Sequence, residues 1–140
     1  MPAPLLEGGC YCGAVRYQVS GRPRFETNCH CTICRRSSGA PFVAWFTIGL
    51  DEFKLLQGMP AYFDSSAKGR RGFCARCGTA LTFTHADAPA LIDLTTASLD
   101  QPEAVPPRDH TWVRSKLAWV HIGDGLPAFP RSRAESESGA

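Results

Sequence analysis

Three cysteines fall within six residues at Cys29-His30-Cys31-Thr32-Ile33-Cys34, and Arg35 and Arg36 stand directly behind them. So dense a run is too rich in thiols for packing and too tight for ordinary disulfide staples. In extended backbone, side chains alternate, so Cys29 and Cys31 point one way and His30 the other. A C-x-x-C turn then returns Cys34 to the same spot. The hexapeptide can gather three thiolates around one ion, about 2.3 Å from it if the ion is zinc. Three ligands are one short of a tetrahedron. Structural zinc is usually closed by four protein ligands, whereas catalytic zinc keeps a position open.

The chain has seven cysteines, which leaves Cys10, Cys12, Cys74 and Cys77. A C-x-C from one segment and a C-x-x-C-G turn from another supply four sulfurs, enough to close a structural site. Gly13 and Gly78, directly after the pairs, suit turns whose backbone N–H groups approach the sulfurs. The competing reading leaves Cys10 and Cys12 as buried, inert thiols. For the central run, the competing reading is a second structural site closed by a distant histidine, with His85, His110 and His121 all available. An open site with three thiolates is net negative, so cations are expected nearby. Arg35 is the candidate for holding a substrate carboxylate; otherwise Arg35 and Arg36 are a solvated pair.

The rest of the sequence bounds the class. At 140 residues one domain is expected, spanning 1–130, with a polar, disordered tail over 131–140. A net charge of +2 with scattered Arg and Lys gives no reason to expect nucleic acid as a partner, and no stretch is long and apolar enough to span a membrane. Residues 1–7 lack a charged n-region and an apolar core, so no signal peptide is expected and a cytoplasmic location follows by default. Seven cysteines, an odd count, in a reducing compartment read as metal ligands rather than a disulfide framework. The oligomeric state is left open.

Short strands punctuated by Gly and Pro, without a long amphipathic helix, predict an all-β fold of small sheets around the thiol clusters. Strands are expected at Val15–Val19, Phe25–Cys31, Phe42–Ile48, Gly69–Cys74, Ala80–Thr84 and Ala90–Thr96, with one helical turn over Ile33–Ser38. Phe53–Gln57 and Ala61–Ser65, joined by Gly58-Met59-Pro60, read as a hairpin. Phe42, Trp45 and Phe46 are assigned chiefly to the core, with one face available to line a pocket, and Trp112 and Trp119 to the core. Asp124, between two glycines, reads as a turn residue.

Gly8-Gly9-Cys10-Tyr11-Cys12-Gly13, the Cys29–Arg35 run, and Phe73-Cys74-Ala75-Arg76-Cys77-Gly78-Thr79 together resemble the glutathione-dependent formaldehyde-activating enzyme family, which takes in centromere protein V-like domains. The closing Trp119–Phe129 segment is similar to that family's C-terminal segment. The resemblance implies a twisted all-β fold with two zinc ions per chain: a structural one on Cys10, Cys12, Cys74 and Cys77, and a second on Cys29, Cys31 and Cys34. It also implies condensation of glutathione with formaldehyde to S-hydroxymethylglutathione, a carbon–sulfur lyase reaction in reverse. On this reading Cys29, Cys31 and Cys34 form the catalytic zinc site, a small thiol and an aldehyde are the partners, and no side chain stands out as general acid or base. Two other readings compete: a non-enzymatic two-zinc protein-interaction module, and a thiol-based redox sensor.

Overall fold

A computed structural model describes residues 5–133, and it is mostly β with one short helix. Two sheets carry the ten strands. The smaller is β1 (Leu6–Gly9), β2 (Arg16–Val19) and β5 (Phe53–Gln57), in the order β1-β2-β5. The larger has seven strands: β3 (Arg24–Cys29), β4 (Val43–Gly49), β6 (Ala61–Asp64), β7 (Gly69–Phe73), β8 (Ala80–His85), β9 (Leu91–Thr95) and β10 (Asp109–Thr111). Its order is β10-β3-β4-β9-β8-β7-β6, antiparallel except for the β10–β3 pair. Helix α1 (Thr32–Ser38) follows β3 and stops at Gly39, whose φ of 71° lets the chain reverse.

Alternation along the strands divides the large sheet into two faces. Phe46 and Ile48 of β4 and Ile92 and Leu94 of β9 point to one side, where they form the main core with Val15, Tyr17 and Val19 from the small sheet region. Trp45 and Thr47 of β4, Asp93 of β9, Phe83 of β8 and Arg71 of β7 point to the other side and line a cavity. One sheet thus serves as the wall of the core and the floor of the cavity.

The expected hairpin is not formed. Phe53–Gln57 pairs with β2 in the small sheet, while Ala61–Asp64 pairs with β7 in the large one. Gly58-Met59-Pro60 carries the chain between sheets instead of reversing it. Gly58 makes the crossing with φ 66°, so close to Ala14 that a Cβ would fall 2.2 Å from its carbonyl oxygen. Two strand boundaries also needed pairing partners to be seen: β1 carries little alternation in Leu-Glu-Gly-Gly, and β10 is three residues long.

Residues 131–133, placed by sequence in a disordered tail, are held against the body. The Arg131 carbonyl accepts from Trp112 N, and Arg133 ion-pairs with buried Asp109 at 2.5 Å. The remainder of that segment, 134–140, lies outside the described residues. Among the described residues no helix is long and apolar enough to cross a membrane.

Candidate functional site

Both cysteine clusters assemble as the spacing anticipates. The sulfurs of Cys10, Cys12, Cys74 and Cys77 all lie within 4.8 Å of one another, as do those of Cys29, Cys31 and Cys34. A tetrahedral ion with 2.3 Å sulfur bonds would separate its ligands by about 3.8 Å. The Cys10–Cys12 and Cys12–Cys74 sulfurs, 3.6 and 3.8 Å apart, match that spacing. Backbone donors also point at the sulfurs: Val15 N at Cys10 (3.2 Å), Arg76 N and Cys77 N at Cys74 (both 3.4 Å), and Cys34 N at Cys31 (3.2 Å). Such donors offset thiolate charge, so the donor sets fit a metal. Gly13 and Gly78 have φ of 82° and 81°, the left-handed turns that the C-x-C-G and C-x-x-C-G spacings anticipate.

The first cluster ties the two sheets together. Cys10 and Cys12 leave β1 of the small sheet, and Cys74 and Cys77 occupy the β7–β8 turn of the large one. Tyr11 N donates to Thr79 Oγ1 across the same junction. The Thr79 hydroxyl and backbone hold the Cys77 pKa down to about 5. An N–H from Ala14 favours the Cys12 thiolate, but burial and competition from the other three thiols outweigh it and push Cys12 up to about 11.

The second cluster is built locally. Cys29 ends β3, Cys31 is the N-cap of α1 with its sulfur accepting from Cys34 N, and Cys34 lies in the first turn. The Cys29 and Cys34 thiols, then the Cys34 N–H and Arg71, hold the Cys31 pKa down to about 2; the Cys31 and Cys34 sulfurs drive Cys29 far upward. Without metal the trio therefore carries one favoured thiolate, and loading an ion must release the remaining protons.

Among the described residues no histidine or carboxylate joins the trio. His30 does turn away. Its buried Nε2 lies 3.0 Å from His110 Nδ1, and His110 Nε2 lies 2.8 Å from Asp124 Oδ2. His110 is thus occupied elsewhere, and Asp124 is more than a turn residue. His121 is exposed, and His85 Nδ1 accepts from Asp87 N. Burial, reinforced by His110 and Lys116, lowers the His30 pKa to about 4, leaving a neutral ring whose Nδ1 has no partner among the described residues.

The three cysteines open onto a cavity of about 600 Å³, within the range of small-molecule sites. Arg35 does not line it; Arg71 does. Arg71 stacks on Phe83 (4.8 Å) and Trp45 (5.9 Å) and brings Nη2 to 3.6 Å from Cys34 Sγ. Arg114 and Arg133 add two further cations to the lining. Trp45 is buried in a small core cluster and also turns a face to the cavity, Trp112 packs against that cluster and lines the cavity, and Trp119, assigned by sequence to the core, is exposed. Phe25 and Trp112, the two described non-glycine residues with positive φ (55° and 58°), both lie on the lining. Strained backbone of this kind clusters at ligand sites.

The sequence profile described as glutathione-dependent formaldehyde-activating enzyme matches residues 5–115. The chain belongs to that family. A Halomonas elongata protein named for the same activity is 34% identical over 127 residues, covering 84% of this chain and 81% of its own length. An uncharacterised lyase of Schizosaccharomyces pombe is 31% identical over 83 residues, 59% of each chain. A crystal structure of a Rhodobacter sphaeroides protein shares the fold, with a TM-score of 0.57 and 19% identity over 88% of this chain and 98% of its own. Membership supports an enzyme of lyase type.

Proposed function

We propose that this protein is a zinc-dependent carbon–sulfur lyase that joins a small thiol, glutathione first among candidates, to formaldehyde and splits S-hydroxymethylglutathione in reverse. The observation that carries the reading is the three-cysteine cluster opening onto the cavity beside Arg71, with no fourth protein ligand among the described residues. Cys29, Cys31 and Cys34 would hold the catalytic zinc, and Cys10, Cys12, Cys74 and Cys77 a structural one. The catalytic ion would supply a coordination position able to take an exogenous sulfur and lower its pKa. Arg71 balances the negative charge gathered by the sulfurs, and its stacking on Phe83 and Trp45 fixes the guanidinium where an anionic thiol arrives. Arg114 offers a guanidinium group to the substrate's carboxylates, while Arg133, held by Asp109, adds positive charge to the lining. For location we propose the cytoplasm, where reduced thiols persist.

Magnetisation-exchange NMR between formaldehyde and its glutathione adduct tests the reading. Zinc-loaded protein should accelerate exchange above the buffer rate, and Cys34→Ser should abolish the acceleration while the fold persists. S-methylglutathione, which has no thiol to ionise, should bind far more weakly than glutathione. Equal binding of the two, with no acceleration, would leave a zinc-binding interaction module as the better account.

A further inference from the structure

A row of side chains crosses the cavity floor. Cross-strand pairing sets Arg71 opposite Phe83, Phe83 opposite Asp93, and Asp93 opposite Thr47, across β7, β8, β9 and β4. All four line the cavity that the three cysteines line. Neighbouring strands are about 4.8 Å apart, so the Arg71 and Asp93 backbones are about 10 Å apart, with the Phe83 ring between them. Arg71 extends toward Cys34; Asp93 is the carboxylate on the same floor. Asp93 Oδ1 accepts from Thr47 Oγ1 at 2.6 Å, and its other oxygen has no hydrogen-bond partner among the described residues. A carboxylate spent on structure would have an arginine or several donors on both oxygens. This one is fixed by a single hydroxyl and leaves the remaining oxygen to the cavity.

The lyase reading needs such a group, and sequence offered none. We infer that Asp93 is the catalytic acid and base of the carbon–sulfur reaction, exchanging a proton with the oxygen of the aldehyde and its adduct. The inference rests on the proposed lyase function. In the condensing direction the Asp93 carboxylate takes the thiol proton. The sulfur electron pair then forms the S–C bond, the C=O π pair moves to oxygen, and that oxygen recovers the proton from Asp93. Cleavage runs the same steps backwards: Asp93 removes the hydroxyl proton, C=O re-forms, the S–C pair leaves with sulfur, and that sulfur recovers the proton from Asp93. Atoms and charge balance, and no oxidant or other reactant is required.

The setting suits a group that must hold and release a proton. Burial raises the Asp93 pKa, opposed by the Thr47 hydroxyl and by Arg71. The other charged or titratable groups facing the cavity are Arg71 on β7, His85 on β8, the three cysteine thiols, and Arg114 and Arg133 from the C-terminal segment. His85 is a weaker candidate, being 41% exposed on its side chain and turned to Asp87.

The test uses the zinc-loaded full chain with glutathione and formaldehyde. Asp93→Asn keeps the size and the Thr47 hydrogen bond. It should lower the exchange rate by about 10²–10⁴-fold, while glutathione binding by calorimetry changes less than about threefold. Thr47→Val retains the carboxyl but removes the donor that favours its charged form. It should move the rising limb of the cleavage rate to higher pH, and infrared spectroscopy should show the carboxylic-acid band, absent in Asp93→Asn, persisting to higher pH. An Asp93→Asn rate equal to wild type, or a pH profile unmoved by Thr47→Val, would overturn the assignment to Asp93 while leaving the lyase reading intact. No acceleration by the wild-type protein would overturn both.

Discussion

The two cysteine clusters use the same donor atom to different ends. The four-cysteine cluster joins segments whose sulfurs come from positions up to 67 residues apart, clamps the small sheet to the large one, and packs Cys10 and Cys74 into the main core. The three-cysteine cluster comes from one hexapeptide at the end of β3, ties nothing distant, and faces a cavity floored by Arg71 and Asp93. Closure and remoteness make the first a fastener. Incompleteness and a cavity make the second a site.

The comparison breaks most readily at its largest effect. Cys74→Ser should leave the chain unfolded or insoluble, because a structural zinc can contribute about 10–16 kcal/mol to a small domain. Cys34→Ser should keep its far-ultraviolet circular dichroism and lose one of two metal ions. Equal unfolding of both variants, read by circular dichroism and metal analysis, would erase the distinction.

A smaller effect tests how the local cluster is held. His30, between two of the three cysteines, is anchored through His110 to Asp124 in the segment after β10. His110→Ala strips His30 Nε2 of its partner in a buried place and should cost about 2–4 kcal/mol, read by denaturant titration. It should also weaken metal at the three-cysteine cluster about tenfold or more and leave the four-cysteine cluster unchanged. Equal weakening at both would mean the histidine chain supports the fold in general.

The smallest effect concerns what a cavity costs. The folded-state pKa of Asp93 lies above the ordinary 3.8, so the native state binds its proton more tightly than the unfolded chain. Stability therefore falls as pH rises through that window, and the penalty is complete above the folded pKa. Asp93→Asn should raise the thermal midpoint at neutral pH, with the gain shrinking in acid below the unfolded pKa. A lower midpoint at neutral pH would show the carboxylate to be a structural asset, contrary to its place on the functional side of the comparison.

The thiol division was legible in sequence because C-x-C and C-x-x-C spacings fix sulfur positions within a few residues, and the apolar, aromatic and β-branched run Phe42–Ile48 marked β4 as a buried strand. What escaped was everything set by pairing between remote segments. Arg35 looked like the cavity cation because it adjoins Cys34 in the chain, yet α1 carries it elsewhere and β7 brings Arg71, 37 residues away, to the sulfur. Asp93 lay unremarked within the expected strand Ala90–Thr96; only the pairings with Phe83 and Thr47 put it on the cavity floor. His30 and His110, 80 residues apart, meet through a parallel pairing of three residues, too short to leave a periodic trace. Gly58 punctuated the chain as a hairpin would, but its partner is Ala14.

The local origin of the three-cysteine cluster also bears on the order of events as the chain is made. Its sulfurs are separated by five residues, against 62 between Cys12 and Cys74, and closing the longer loop costs about 2 kcal/mol more in chain entropy. A nascent chain can thus present the trio once Cys34 has emerged, well before Cys77 emerges. The walls supplied by Thr111, Trp112, Arg114 and Arg133 arrive last. The trio is complete before the cavity floor of Arg71, Phe83 and Asp93 and before the C-terminal wall. A fragment ending at residue 60 would carry the trio without Arg71, Asp93 or the C-terminal wall, a cysteine cluster with most of the floor beneath it missing.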